Sequence, residues 1–316
     1  MSARYFLGVD GGQSSTTALI GDASGKVIGY GRGGPCNHVK GPEGRQKFVS
    51  AIEGCLQMAV QAAGLHAPCF EVAFLGFSGG PADKTALLSE MLAAGRIEVT
   101  HDALIALSGA TEGAPGIITI AGTGSIAFAR NAAGRTARAG GWGYVFGDEG
   151  GGFDLTRQAL RAALRMEEGW GPETALRANL LKATGATSAN DLLHRFYTTE
   201  YPRPRIAGFS KLVDEAAMHG DPVAREILLQ AAQQLAMFAG AVRGQLFEEG
   251  EPARVAYIGG VFSSPLLLER FRSLVELEEG NEVGPPVYGP AAGALLEAYR
   301  TAGIECRLTG VPEFEK

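Results

Sequence analysis

Cysteine is scarce in this sequence: Cys36, Cys55, Cys69 and Cys306 are its four, with no CxxC pair and no histidine at ligand spacing. That spacing argues against a disulfide framework, a structural zinc and an iron–sulfur cluster. Reduced thiols in a cytoplasmic protein are the expectation. Long apolar runs are also missing, and Met1 to Leu7 leads straight into a glycine turn without the apolar stretch of a secretory signal. Positive charge is thin and dispersed, with a net charge of −6, so no basic patch is offered to nucleic acid or anionic lipid. The sequence carries neither the G-K-[ST] ending of a Walker loop nor a GxGxxG fingerprint.

What is abundant is glycine, 46 residues in 316, within a composition that is otherwise globular. The length exceeds one comfortable core, so two lobes with a ligand cleft between them are expected. Strands are predicted at 5–9, 16–20 and 26–30, an antiparallel start, followed by a helix over 43–64 with Phe48, Ile52, Leu56 and Ala59 on one face. A strand at 71–75, a helix at 83–93, a short strand at 97–100 and a helix at 103–110 complete the first half. After Gly113-Ala114-Pro115-Gly116 the opening pattern recurs: a strand at 116–121, a glycine turn at 122–125, a strand to Arg130, a turn and a third strand. Helices dominate from Gly151, a β-branched strand covers 254–258, and a small-residue helix covers 290–300. The expected domains are 1–112 and 113–316, the second with a helical insertion, and the C-terminal helix packing back on the first.

The glycine turns suggest chemistry. In Gly8-Val9-Asp10-Gly11-Gly12-Gln13-Ser14-Ser15-Thr16 the backbone amides of Gly11 and Gly12 can approach phosphate oxygens. Ser14 and Ser15 add hydroxyl donors, and Asp10 is a candidate for hydrated Mg²⁺. Gly122-Thr123-Gly124-Ser125 offers the same donors at the equivalent place of the second half. Asp102, in Thr100-His101-Asp102-Ala103, stands at a strand end before a helix, where aspartate either caps the helix or accepts a substrate hydroxyl's proton. The run from Gly140 to Gly152 combines Trp142, Tyr144, Asp148 and Glu149 with flexible backbone, a mixture suited to sugar hydroxyls and also to a helix start. Asn37 could read a ligand hydroxyl or form a turn. His38 and His101 receive no role. Gly259-Gly260, after the β-branched strand, would let an adenosine approach the backbone.

Together GVDGGQSST (8–16), THDA (100–103), AGTGS (121–125), GGWGYVFGDEGGGFDL (140–155) and IGGV (258–261) resemble the N-acetylglucosamine kinase branch of the BadF/BadG/BcrA/BcrD ATPase family, within the sugar kinase, Hsp70 and actin superfamily. The resemblance spans most of the chain, and the GGWG…GDEG block is its specific part. It implies an α/β fold of two actin/hexokinase-like, ribonuclease H-like lobes and transfer of the γ-phosphate of ATP, with Mg²⁺, to the 6-hydroxyl of N-acetylglucosamine or glucosamine. Ser14 and Thr123 would then contact phosphates, Asp10 the metal, Gly259 and Gly260 the nucleoside. Asp102 would be the catalytic base, and Asn37, Ser78, Gly124, Ser125, Gly141 and Asp148 would surround the sugar. A homodimer follows from the resemblance alone. Gln13 stands where a small residue is usual and Gly151 where serine is usual, while residues 169–220 match no motif.

Two rivals follow from the same superfamily. An activator ATPase would couple hydrolysis to a partner enzyme through a cluster held by paired cysteines, which the sequence lacks. A catalytically silent sugar sensor would add a DNA-binding unit, for which the first core strand, starting at Tyr5, leaves no room.

Overall fold

The computed structural model describes residues 4–12, 14–36, 41–80 and 83–316. In chain order these form β1 (Tyr5–Gly11), β2 (Thr16–Asp22), β3 (Val27–Gly33), α1 (Gly41–Ala62), β4 (Phe70–Phe77), α2 (Thr85–Met91), β5 (Ala94–His101), α3 (Asp102–Ala110), β6 (Gly116–Ala121), β7 (Ser125–Arg130) and β8 (Thr136–Gly140). Then come α4 (Gly152–Glu167), α5 (Ala175–Thr184), α6 (Ala189–Phe196), α7 (Arg203–Gly208), α8 (Ser210–Met218), α9 (Pro222–Leu246), β9 (Ala253–Ile258), α10 (Pro265–Val275), β10 (Asn281–Gly284) and α11 (Pro290–Thr301). Two compact units result, Met1–Pro115 with Pro286–Lys316, and Gly116–Pro285. The division therefore differs from 1–112 and 113–316: the second unit ends at Pro285, and the C-terminal segment completes the first.

Each unit is built on a mixed five-stranded sheet, in the order β3-β2-β1-β4-β5 in the first and β10-β9-β6-β7-β8 in the second. In the first, β1, β2 and β3 are antiparallel neighbours while β4 and β5 run parallel to β1. The second repeats this, with β6, β7 and β8 antiparallel and β9 and β10 parallel to β6. The repeat expected from the strand–turn–strand pattern is thus one of topology, α/β in both halves. Four short helices, α5 to α8, fill the stretch from 169 to 220 that matches no motif.

Period-two alternation sorts the first sheet's side chains. Leu7 and Val9 face α1, packing with Phe48, Ile52 and Cys55, while Phe6, Leu19 and Phe74 face α11 among Ala291, Leu295 and Tyr299. Asp10, in step with Phe6 and Gly8, falls on the α11 side. There the helix and strand backbones nearly touch: a Cβ on Gly8 would lie 2.3 Å from Leu295 N. On its other flank α11 meets α3, where a Cβ on Gly293 would overlap the Ile105 carbonyl oxygen. In the second unit α9 starts on Asp221, whose carboxylate accepts from Val223 N and Ala224 N, with Pro222 at the first helical position.

Gly8→Ala should unseat α11 and cost about 1–3 kcal/mol of stability, as overpacked core sites do. Gly54→Ala, on the open face of α1 with nothing within 4 Å of its Cβ, should be neutral or stabilising. Urea denaturation of both variants beside the parent protein checks the contrast.

Candidate functional site

In the first unit the parallel register aligns the carboxyl ends of three strands, Gly11 opposite Phe77 and Phe77 opposite His101. Ligands of open α/β sheets bind at such ends, because the loops leaving them diverge and expose their backbone. Ser78 follows β4 and Asp102 follows β5 as the first residue of α3. Asp102 does not cap that helix: His101 holds the N-cap position and no side-chain cap bond forms. Instead the Ser78 hydroxyl donates to Asp102 Oδ2 at 2.6 Å, and Ser78 N donates to the Gly11 carbonyl at 3.3 Å. One strand edge thereby gathers Asp10, Gly11, Ser78 and Asp102.

The first glycine turn is a tight connection between β1 and β2. Gly12 N donates to Ser15 O at 2.9 Å, and Gly12 O accepts from Cys36 N at 3.0 Å. Ser14 is exposed and Ser15 partly so. Asp10 carries the electrostatic signature of the site: burial, then the nearby carboxylates of Glu315 and Asp102, push its pKa from 3.8 to about 7. Glu315 was not foreseen. It lies in a 3-10 turn, accepts from Ala292 N at 3.1 Å in the first turn of α11, and is itself raised, chiefly by burial. Asn37, Gln13 and His38 lie outside the described residues.

In the second unit the loop after β6 and the block 147–153 are bound together. Gly152 N donates to Gly122 O at 2.8 Å, Phe153 N to Thr123 O at 3.1 Å, and the Ser125 hydroxyl to Glu149 O at 2.5 Å. Asp148 is buried, with a left-handed backbone (φ 64°), and its Oδ1 accepts from Ser125 N at 3.5 Å. Its carboxylate leaves no space for a side chain on Gly124, where a Cβ would come within 2.4 Å of Oδ2. A Cβ on Gly151 would in turn lie 2.8 Å from the backbone of Gly124. Gly141 donates its N–H to Ser125 O at 2.9 Å.

Gly259 follows β9, which pairs in parallel with β6, so it shares a strand edge with Gly122. Its φ of 112° and a Cβ position 2.4 Å from Ala121 O restrict this place to glycine. Beside it lies a cavity of about 240 Å³ where Gly260, Val261 and Ser263 face Lys211, Asp214 and Met218 of α8. Asp214 accepts from the Ser264 hydroxyl. Sequence reasoning found the glycines here but not the α8 wall, whose residues follow ordinary helical spacing. Among the described residues no group of three His, Cys, Asp or Glu forms a metal cluster. A hydrated Mg²⁺ does not require one, because it takes one or two carboxylates and completes its shell with water and substrate phosphates. Asp10 fits that part, since an adjacent cation would offset the charge its neighbours disfavour.

Residues 7–298 match the BadF/BadG/BcrA/BcrD ATPase family. The chain is 33% identical over 285 residues to an N-acetylmuramic acid/N-acetylglucosamine kinase of Clostridium acetobutylicum, covering 87% of this chain and 91% of that one. It is 29% identical over 318 residues to an N-acetyl-D-glucosamine kinase of Dictyostelium discoideum, covering 95% and 99%. Among solved structures, a Chromobacterium violaceum protein proposed to be an N-acetylglucosamine kinase superposes with a TM-score of 0.74 at 29% identity, covering 94% and 99%.

The raised Asp10 pKa fixes the sign of a pH effect. A carboxyl whose pKa is higher folded than unfolded stabilises the fold at low pH, and that contribution is lost as pH rises through about 7. In metal-free buffer, Asp10→Asn should therefore match the parent in melting temperature near pH 4 and exceed it at pH 8.

Proposed function

The chain belongs to the BadF/BadG/BcrA/BcrD ATPase family, and we propose that it is an ATP-dependent amino sugar kinase, phosphorylating N-acetylglucosamine, glucosamine or the muramic derivative at the 6-hydroxyl. The observation that carries this reading is the Ser78–Asp102 hydrogen bond at the carboxyl edge of β4 and β5. It leaves Asp102 Oδ1 to accept a sugar hydroxyl while Ser78 fixes the carboxylate's orientation. The attacking oxygen gives its proton to Asp102 and bonds to the γ-phosphorus. The bond from that phosphorus to the bridging oxygen breaks, and ADP leaves.

The phosphates would rest on Gly11, Gly12, Ser14 and Ser15 and on Thr123 and its neighbours, with Asp10 as the Mg²⁺ carboxylate. Bound Mg²⁺ supplies neutralisation of the charge on the β- and γ-phosphate oxygens. The nucleoside would occupy the cavity beside Gly259 and Gly260. Asp148, Gly124, Ser125, Gly141 and Asn37 would read the sugar's other hydroxyls, the buried Asp148 being suited to a pair of them. Use of ATP and four free cysteines support action in the cytoplasm. Homodimerisation is the assembly favoured by the family resemblance. Side chains such as Phe146, 85% exposed in the GGWG…GDEG block, are available to a partner surface.

A coupled ADP-release assay over N-acetylglucosamine, N-acetylmuramic acid, glucosamine, glucose and no sugar tests the reading. Amino sugar-dependent turnover should fall by about 10²–10⁴ in Asp102→Asn, the range of a lost general base. Hydrolysis independent of sugar, or an active Asp102→Asn, would overturn it.

A further inference from the structure

Lys84 is 1% exposed, among the largest fully buried side chains, and phosphoryl transfer as described gives it no part. Its Nζ donates to the Gly80 carbonyl at 2.9 Å and to Asp83 Oδ1 at 2.9 Å, and it lies 5.8 Å from the centroid of the Phe77 ring. The Asp83 side chain is 45% exposed, so the pair is dry at one end and wet at the other. Desolvating an ammonium is costly, and an isosteric hydrophobe in such a place is often neutral or stabilising. Burying this charge is therefore not in itself a source of core stability.

Its position supplies a use. Gly80 closes the Ser78–Gly80 loop, in which Gly79 and Gly80 have φ of 82° and 81°, a backbone with little preference of its own. Gly80 N donates back to Phe77 O at 3.1 Å, and a Cβ on Gly80 would strike the His101 ring, next to Asp102. Phe77, beneath the ammonium, fills the space a side chain on Gly11 would need. The same cation acts on the Cys36 thiol, which burial pushes up and Lys84 draws back, and Cys36 N holds the Gly12 carbonyl.

We propose that Lys84 is a positioning residue: by gripping the Gly80 carbonyl from inside the core, it sets the Ser78–Gly80 loop and so aims the Ser78 hydroxyl at Asp102. The proposal rests on the kinase reading of those two residues.

Lys84→Met, Ser78→Ala and the double variant are compared by hydrogen exchange at the Ser78 and Gly80 amides, by melting temperature, and by KM for sugar and for ATP. Lys84→Met should melt within a few degrees of the parent, exchange at least about tenfold faster at those amides, and show a sugar KM raised about tenfold with ATP KM unchanged, a modest share of what misplacement by 1 Å can cost. The double variant should be no worse than Ser78→Ala, because both remove one interaction. Unchanged exchange, faster exchange with an unchanged sugar KM, or additive losses would each overturn the proposal. So would loss of folding in both Lys84→Met and Lys84→Gln, since the ammonium would then serve the core. If the parent phosphorylates no amino sugar, the kinase reading fails on its own, and exchange at Ser78 and Gly80 still decides whether Lys84 holds the loop.

Discussion

The first unit depends on a close approach of backbones. α11 can lie against β1 only because Gly8 has no side chain, and against α3 only because Gly293 has none. Both contacts bear on chemistry. Two residues beyond Gly8 the strand delivers Asp10, and the helix touching Gly293 begins at Asp102. A methyl group in either place would shift an element that carries one of these two carboxylates. Seating α11 also brings its first turn under Glu315, which takes the free amide of Ala292 and adds a third carboxyl group to the region. The raised Asp10 pKa is thus a consequence of helix packing as well as of local burial.

The second unit solves a similar problem with hydrogen bonds instead of helix contact. The β6–β7 turn and the block 147–153 exchange bonds through Gly122, Thr123 and Ser125, and Asp148 is wedged against Gly124. A left-handed aspartate is uncommon and costs conformational energy, which the surrounding bonds must hold in place. Its yield is a buried carboxylate on a loop that cannot rotate it away.

Much of this was legible before any coordinates. Alternating apolar strands around glycine turns marked both three-stranded starts, and the recurrence of that pattern foretold sheets of one topology. Asp102 and Ser78 were expected at a sugar site from the family resemblance, whereas their mutual hydrogen bond was not foreseen, because it depends on the register of β4 against β5. What escaped is what is made by distant parts of the chain. β10 is four residues long and pairs only through β9. The α8 wall of the cavity beside Gly260 repeats with the same period as any buried helix. Glu315 sits in a stretch with no periodicity and Lys84 at the start of the predicted helix 83–93, and only tertiary packing makes a cap of one and buries the other.

The order of the chain has a consequence for how the protein is made. Residues 116–285 form one continuous unit, whereas the first unit must wait for residues 286–316. Roughly 190 residues separate the end of β5 from the start of α11. At typical synthesis rates that is a delay of about 10–40 s. Throughout it the sheet face carrying Phe6, Leu19 and Phe74 has been translated but has no α11 to cover it. Of the two units, the one whose strands are translated earlier is thus completed later, and until then its sheet face lacks the helix that covers it.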